Sequence, residues 1–437
     1  MNNLSVDMAL AQTSVRPTAA VRPLSRVRYQ LIAGLIVAVV LPSAVYHSGD
    51  LALAMRLPSS LNTAIGGAIA YAFSLYLLRR VATFPGMGLL GYVMPAVTAG
   101  YGLVLTVFFL ARLDYSRLNF ALSFGAAMLF LFLVSIHLRR HGRQRFYVIP
   151  SEHASGLTSL PGADWTVLSE ARLPDDVRAI LIADLRADLD ESWERLIAEA
   201  ALNGYPVYHS KQVQESLTGR VEIEHLSENS FGSLIPNLSY RKLKRTLDLA
   251  VSLALAPLLI VPGLIVALLI TLDSPGPVFF RQIRRGYRGK IFHVLKFRTM
   301  RHHMPDQVEC ERSHAVTRTR DPRITRVGQF LRRTRIDELP QIWNVLRGEM
   351  SWIGPRPEAI ALSEWYMTEL PFYTYRHIVR PGITGWAQVN QGHVADLDGV
   401  HEKLHYDFFY IKNFSGWLDL LILWRTVGIV FSGFGAK

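Results

Sequence analysis

The sequence predicts a membrane protein with a helical transmembrane bundle, a small α/β module and a second cytoplasmic unit that is mostly α-helical and carries a re-entrant membrane helix. Three observations predict this fold class. Half of the 437 residues are hydrophobic, which is more than a soluble chain of this length needs for its cores. Five stretches without Asp, Glu, Lys or Arg are long enough to enter a bilayer as helices. Short β-like runs separate the fourth stretch from the fifth.

The first four apolar stretches predict a transmembrane bundle over residues 29–140, after a cytoplasmic tail of residues 1–28. Arginine clusters precede the first stretch and follow the second and the fourth, so the positive-inside rule places both ends of the bundle in the cytoplasm. A cleaved signal peptide is the alternative for the first stretch, but three more spans follow it. The stretches are Tyr29 to Tyr46, Leu61 to Leu78, Met87 to Leu110 and Leu118 to Leu138.

Residues 145–226 predict the α/β module, followed by a polar linker of residues 227–240. The module resembles half of a nucleotide-binding fold, but no G-x-G-x-x-G follows its first strand-like run. A folding or dimerisation role is therefore preferred, and a homodimer is the expected oligomer. The predicted strands and helix are Phe146 to Ile149, Ala179 to Ala183, Glu191 to Leu202 (helix) and Tyr205 to Tyr208.

The fifth apolar stretch, residues 249–272, carries the most informative topology. Pro257 and Pro262 interrupt its interior. A spanning helix would place one of its two basic flanks outside, whereas a helix that bends at proline and returns keeps both flanks in the cytoplasm. The sequence therefore favours a re-entrant helix, with a kinked but complete span as the alternative. The basic flanks are Arg241, Lys242, Lys244 and Arg245 before the stretch, and Arg281, Arg284, Arg285, Arg288 and Lys290 after it.

The positive charge is concentrated in one segment. Residues 281–335 contain 16 Arg or Lys against 4 Asp or Glu, which accounts for the whole net charge of +12. A compact basic segment beside membrane helices suits anionic lipid headgroups and phosphorylated substrates better than nucleic acid. Near the end of the chain, residues 417–431 are apolar but contain Asp419 and Arg425, and this pattern predicts an interfacial helix.

Two adjacent carboxylates, Asp337 and Glu338, stand in the most distinctive polar motif. Pro340 fits the first turn of a helix, so the carboxylates should lie at its N-terminus. The helix dipole and nearby arginines favour an ionised Asp, which can attack phosphorus or bind Mg²⁺. Acidic residues in a first turn are also common as plain helix-start preference, which remains the structural alternative.

Cations accompany the two carboxylates. Gly354-Pro355-Arg356-Pro357 is a rigid turn that could fix one guanidinium for bidentate pairing with phosphate. Lys296 and Arg298 alternate with apolar residues, as on a half-buried strand that places both cations on one face. Each of these cations could instead serve in a structural salt bridge.

From Lys244 to about Gly433 the sequence resembles the bacterial sugar transferases, the polyprenyl-phosphate hexose-1-phosphate transferases that begin exopolysaccharide, capsule and O-antigen assembly. With four preceding spans and an intervening module, the whole chain resembles the long members of that family. The motifs that carry the resemblance are Lys244-Arg245 with Asp248, Lys296 to Met300, Asp337 to Gln341, Asn344 to Leu346, Met350-Ser351, Gly354 to Pro357, and Arg380 to Gln388.

The resemblance implies a monotopic catalytic domain over residues 241–437, on the cytoplasmic face of the bacterial inner membrane, with a covalent phosphosugar intermediate. Asp337 would be the nucleophile and a ligand of Mg²⁺. Glu338 would assist in proton handling or in orienting the metal site. Arg356 would hold substrate phosphate, and the further candidates for that role are Lys296, Arg298 and Arg332. The helix bend would fall at Ala256-Pro257, where the family often has Ser-Pro.

The implied substrates are a UDP-hexose, with glucose or galactose expected, and undecaprenyl phosphate, with membrane lipid as a further partner. Two alternatives remain at this stage. A membrane glycosyltransferase would move the sugar without its phosphate, and a non-catalytic membrane scaffold would use the basic segment only to dock on anionic lipid.

Overall fold

A computed structural model describes residues 26–432 except 82–89, 142–144, 152–153, 161–162, 177–178, 224–235, 237, 302–320, 322, 393 and 395. The chain divides into two compact units, Met1–Val213 and Gln214–Lys437. The described residues are mostly helical. The predicted cytoplasmic tail, residues 1–28, and the predicted linker, residues 227–240, lie largely outside the described residues.

The first unit begins with helices at all four predicted apolar stretches. Over the described ranges, five helices are long and apolar enough to cross a membrane: the four long helices of this unit and one in the second unit. The prediction of a mostly helical chain with apolar helices that could span a membrane is therefore confirmed. The helices are α1 (Val27–Tyr46), α2 (Leu51–Arg56), α3 (Pro58–Val81), α4 (Leu90–Leu110) and α5 (Arg117–His141).

Small residues let the helices of this bundle approach one another closely. A Cβ added at Gly34 on α1 would collide with the Tyr71 ring of α3. A Cβ at Gly100 on α4 would collide with the backbone of Ala70 on α3. Close backbone approach of this kind stabilises helix pairs in lipid, where burial of apolar surface gives little driving force.

The predicted α/β module is present as a four-stranded parallel sheet in the order β2-β1-β3-β4. The central strand β3 is buried at every position, as expected for a parallel strand covered on both faces. The strand β2 was not predicted, because its short Asp-Trp-Thr-Val run gives a weak alternation signal. The elements are β1 (Arg145–Val148), α6 (Ala154–Thr158), β2 (Asp164–Val167), β3 (Ala179–Ala183), α7 (Glu191–Leu202), β4 (Val207–His209) and α8 (Ser210–Thr218).

The second unit combines one long apolar helix with short helices, a β-hairpin and a two-stranded parallel pair. Strands β5 and β6 pair antiparallel, and strands β7 and β8 pair parallel. Its elements are α9 (Leu238–Asp273), β5 (Phe279–Arg285), β6 (Ile291–Phe297), α10 (Arg326–Thr334), a 3₁₀ helix (Ile336–Gln341), α11 (Ile342–Arg347), β7 (Ser351–Ile353), α12 (Ile360–Glu369), a 3₁₀ helix (Tyr373–Ile378), β8 (Gly382–Thr384), α13 (Trp386–Asn390), α14 (Leu397–Lys412) and α15 (Gly416–Ser432).

Helix α9 is longer than the apolar stretch that predicted it. It begins eleven residues before Leu249 and continues through Pro257 and Pro262. Its middle is highly exposed, with Leu258 at 68% and Leu264 at 65% of full exposure. The first turns of α9 carry charged side chains, so they do not belong to the apolar stretch that predicted the helix. These side chains bind partners inside the second unit.

Lys244 supplies one such contact, and α15 supplies its partner. The Nζ of Lys244 lies 2.7 Å from Oδ2 of Asp419, with both side chains about 10% exposed or less. The hydroxyl of Tyr410 donates to the other oxygen of Asp419 at 2.8 Å. Arg425 on α15 donates to Oδ1 of Asn390 at 2.5 Å. The two charges in the predicted interfacial helix therefore face protein partners.

We expect Asp419→Ala to destabilise the second unit strongly. Breaking a buried ion pair from one side leaves an uncompensated charge, which costs about 3–5 kcal/mol. Thermal unfolding of the detergent-solubilised chain measures the loss. Asp398→Ala is the matched control, because Asp398 is exposed in the first turn of α14. Equal melting temperatures for the two variants would contradict the structural role of Asp419.

Candidate active site

The β5–β6 hairpin presents two different faces. In its register Phe280 pairs with Lys296 and Arg284 pairs with Phe292, so Lys296 and Arg284 share one face. Phe292 on the same face is buried in a core cluster with Val345. The hairpin therefore holds two cations on its inner face, against the protein.

The predicted carboxylates follow a sharp reversal of the chain. Helix α10 ends at Thr334, and the next residue, Arg335, adopts a left-handed conformation with φ 59°. The next six residues form a 3₁₀ helix that contains Pro340 and leads into α11. Asp337 and Glu338 thus lie in the first turn of a 3₁₀ helix, and both are buried, at 8% and 6% exposure.

Glu338 is the centre of the site. Its Oε1 accepts hydrogen bonds from Nζ of Lys296 at 2.9 Å and from Nη2 of Arg356 at 2.6 Å. Nη1 of Arg356 lies 3.3 Å from Oε2. Burial opposes ionisation of Glu338, but Arg356 and Lys296 together hold its pKa well below the usual value. Glu338 is therefore an ionised carboxylate with both oxygens engaged.

The loop that carries Arg356 is fixed by the β7–β8 pair. The N–H of Gly354 donates to the carbonyl of Thr384 at 2.9 Å, and the N–H of Gly382 donates to the carbonyl of Pro355 at 3.0 Å. A Cβ at Gly354 would collide with the carbonyl oxygen of Arg380. The turn thus requires glycine because two backbones meet there.

Asp337 differs from Glu338 in that one of its carboxylate oxygens accepts no hydrogen bond from the described residues. Its Oδ1 is buried and has no hydrogen-bond partner within the described part of the chain. Burial and the adjacent Glu338 raise the pKa of Asp337, while Lys296 and Arg356 counteract this rise. A buried carboxylate oxygen without a partner is a suitable ligand for a hard cation such as Mg²⁺.

The structure does not cluster further metal ligands around Asp337. Across the described ranges, no group of three or more His, Cys, Asp or Glu could hold a metal ion. Mg²⁺ is commonly bound through one or two carboxylates together with substrate phosphates and water. Asp337 alone therefore fits Mg²⁺ only when a phosphorylated substrate shares it.

The two remaining predicted cations have different surroundings. Arg332 donates through Nε to the hydroxyl of Thr299 at 2.9 Å, and the charge of Asp337 acts on its guanidinium. Arg298 instead donates to the carbonyls of Ser274 and Pro275, each at 2.6 Å, at the end of α9. Lys296 and Arg298 were predicted to share a face, but they bind different partners.

Sequence reasoning missed two arginines beside the Arg356 loop, the half-buried Arg284 and the buried Arg376. Arg284 donates to the carbonyl of Pro357, and Arg376 donates to the carbonyl of Arg356 at 2.9 Å. Arg284 lies on the same face of the hairpin as Lys296, and this is known only from the register in which the two strands pair. Arg376 lies four residues before the Arg380 motif, but nothing in the sequence indicates its target.

Fold and site together define a membrane-anchored enzyme whose buried carboxylates and cations suit a phosphorylated substrate. A family model described as bacterial sugar transferase matches residues 239–433. The chain is also 41% identical over 382 residues to the UDP-N-acetylgalactosamine-undecaprenyl-phosphate N-acetylgalactosaminephosphotransferase of Aeromonas hydrophila, a match that covers 86% of this chain and 88% of the relative. The chain therefore belongs to the bacterial sugar transferase family, and the resemblance found in the sequence is confirmed.

Two further relatives match this chain over 200 residues each. The UDP-glucose:undecaprenyl-phosphate glucose-1-phosphate transferase of Escherichia coli (strain K12) is 46% identical over 200 residues, which are 45% of this chain and 41% of the relative. A protein of the same name from Caulobacter vibrioides is 42% identical over 200 residues, which are 45% of this chain and 72% of the relative. This chain thus spans less than half of the Escherichia coli protein.

We expect the amine of Lys296 to lose its proton at a lower pH than an ordinary lysine does. Burial, opposed in part by the charge of Glu338, lowers the pKa of Lys296 to about 8. The pH dependence of its reductive methylation, followed by mass spectrometry, measures this value. Glu338→Gln removes the charge that favours the ammonium, so it should lower the midpoint further. A midpoint unchanged by Glu338→Gln would contradict the ion pair, and the exposed Lys290 serves as the control.

Proposed function

We propose that this chain transfers a hexose-1-phosphate from a UDP-hexose to undecaprenyl phosphate, with release of UMP, at the cytoplasmic face of the bacterial inner membrane. One observation carries the proposal: Asp337 keeps a buried, unpartnered carboxylate oxygen beside the cations that hold Glu338. Relatives named for this reaction support it. The product would begin a cell-surface polysaccharide such as exopolysaccharide, capsule or O-antigen.

In the first step, an oxygen of Asp337 attacks the sugar-bearing phosphorus of the UDP-hexose. The new O–P bond forms as the P–O bond to UMP breaks, and the electron pair leaves with the UMP phosphate. Arg356, with Lys296 behind it, stabilises the negative charge on the phosphoryl oxygens. The result is an aspartyl phosphosugar, with UMP as the leaving group.

In the second step, a phosphate oxygen of undecaprenyl phosphate attacks the same phosphorus and displaces the Asp337 carboxylate. Cleavage stays at phosphorus in both steps, so the anomeric configuration of the sugar is retained. Both the leaving UMP and the attacking phosphate can react as anions, because the second pKa of such phosphates is about 6. Glu338 therefore need not carry a proton, and we assign it the role of holding Arg356 and Lys296 in place.

Mg²⁺ is the metal that this donor set fits. Asp337 would hold it together with substrate phosphate oxygens and water, and the ion would neutralise charge on the diphosphate. The charge of Asp337 acts on the Arg332 guanidinium, and Arg332 would bind phosphate at the edge of the same site.

We also propose that α9 is re-entrant, with its bend at Ala256-Pro257. A straight α-helix would separate Arg245 from Ile270 by about 37 Å. Yet Arg245 donates to the carbonyl of Val345 at 2.6 Å, and the apolar cluster of Ile270 packs against Leu339. Val345 and Leu339 are about 10 Å apart along consecutive helical turns. This mismatch supports a helix that enters the bilayer and returns, with α15 at the interface beside it.

We expect Asp337→Asn to abolish UMP release from a UDP-sugar with undecaprenyl phosphate and Mg²⁺ present, because the amide is not a nucleophile. Asp398→Asn, at an exposed helix start, is the control. Incubation of the wild-type protein with labelled donor and no acceptor should leave sugar phosphate on Asp337. Near-normal turnover of Asp337→Asn would contradict the proposed nucleophile. Release of UDP with a monophosphate-linked lipid would instead identify a glycosyltransferase that leaves the phosphate behind.

The donor panel for this assay follows from the relatives. Glucose and galactose were expected from the sequence, but the Aeromonas hydrophila relative, whose match covers 86% of this chain, is named for N-acetylgalactosamine. The panel therefore needs UDP-glucose, UDP-galactose and UDP-N-acetylgalactosamine, each tested with Mg²⁺ and with EDTA.

We expect both ends of α9 to be reachable only from the cytoplasm. In a Cys310→Ser background, Lys242→Cys and Pro277→Cys place exposed thiols at the two ends of the helix. A membrane-impermeant maleimide should label both in inverted vesicles and neither in intact spheroplasts. Ser48→Cys lies in the connection after the first apolar stretch, which the positive-inside rule places outside the cytoplasm, and should label in spheroplasts as the control. Labelling of the two ends from opposite sides would contradict the re-entrant helix.

A further inference from the structure

The backbone of the Arg356 loop is held by two arginines from different elements, one half-buried and one buried. Arg284 on β5 donates through Nη1 to the carbonyl of Pro357. Arg376, in the 3₁₀ helix Tyr373–Ile378, donates through Nη2 to the carbonyl of Arg356 at 2.9 Å. Two consecutive carbonyls of the loop are thus each bound by a guanidinium.

The remaining donors of Arg284 are also engaged by protein atoms. Its Nε and Nη2 lie 3.1 and 2.7 Å from Oε1 of Gln282, two residues away on the same strand face. Burial, and then the nearby charge of Arg356, lower the pKa of Arg284 to about 10. Although burial disfavours its charge, the Arg284 guanidinium therefore binds the Arg356 loop and Gln282 on its own strand.

Arg376 is anchored behind the loop by an acidic pair. It is only 3% exposed, and its Nη2 lies 2.8 Å from Oδ2 of Asp407 on α14. Its Nη1 donates to the hydroxyl of Tyr373 at 2.9 Å. Glu358 lies 3.8 Å from the same guanidinium and forms an ion pair with Lys403. This network ties α14 to the backbone that carries Arg356.

We propose that Arg284 and Arg376 are positioning residues that hold Arg356 in reach of the sugar-bearing phosphate, a role that rests on the proposed function. Pro355 and Pro357 fix φ at two positions of the loop but leave the orientation of its peptide carbonyls open. The long side chain of Arg356 magnifies any rotation of those peptides. The two guanidinium-carbonyl contacts remove this freedom, so that Arg356 can meet both Glu338 and substrate.

The first test measures the loop itself, without substrate. Only Gly354, Arg356 and Glu358 carry amide protons in the turn, so hydrogen exchange of a peptide spanning residues 350–360 reports on it. Arg284→Gln should accelerate this exchange about tenfold or more, because an anchor of the loop is lost. Arg281→Gln, exposed on the opposite face of β5, should not. Unchanged exchange in Arg284→Gln would overturn the proposal.

The second test is a double-mutant cycle on kcat/KM for UMP release. Arg284→Gln should reduce kcat/KM about 10- to 100-fold, the scale expected for a displaced catalytic group. In an Arg356→Gln background the same substitution should add less than about twofold, because its target is already gone. Additive losses would overturn the proposal, since Arg284 would then act on substrate or on the fold independently.

A conservative variant separates positioning from folding. Arg376→Lys keeps the charge opposite Asp407, and we expect it to keep the wild-type melting temperature while it loses activity in the same non-additive way. Wild-type protein that releases no UMP would contradict the proposed function, and the exchange measurement would still decide whether the two arginines hold the loop.

Discussion

The ion pairs of Glu338 are the interactions on which the rest of the site depends. One buried carboxylate joins Lys296 at the end of a hairpin strand to Arg356 in a turn after β7, although these residues are 42 and 18 positions away along the chain. Removing such charges from water costs several kcal/mol per ion, so the arrangement is stable only while each charge keeps its partner. The segments that carry Lys296, Glu338 and Arg356 are therefore held in one arrangement by these ion pairs.

That geometry gives the two adjacent carboxylates different environments. Glu338 has its pKa held well below the usual value by Arg356 and Lys296, whereas burial and Glu338 itself raise the pKa of Asp337. Environments that push neighbouring titratable groups apart are typical of catalytic pairs. Under the proposed function, Glu338 holds the two cations in place, and Asp337, whose Oδ1 has no hydrogen-bond partner among the described residues, is the group that reacts. The positive charges of Lys296 and Arg356 oppose the rise in its pKa and so favour the ionised form of Asp337.

Both ends of the apolar helix α9 are bound to the segments that build the site. Arg298 binds the carbonyl end of α9, and only two residues before it Lys296 binds Glu338. At the other end of α9, Arg245 binds the carbonyl of Val345 on the helix that follows the carboxylates. Because the apolar middle of α9 lies between these two anchors, the depth of that helix in a bilayer fixes the distance of the site from the lipid surface. An acceptor whose phosphate lies at the headgroups suits such a design.

The sequence alone determined the long apolar helices and marked the two adjacent carboxylates. Uncharged stretches specified the membrane helices because lipid excludes charge, and the run around Asp337 marked the carboxylates because its motif is contiguous. The tertiary structure decided which cations meet them. Lys296 and Arg298 looked equivalent by strand alternation, yet they bind Glu338 and the end of α9 respectively. Arg284 stood out only as part of a basic flank and Arg376 not at all, because their targets are backbone carbonyls that only the folded chain brings near.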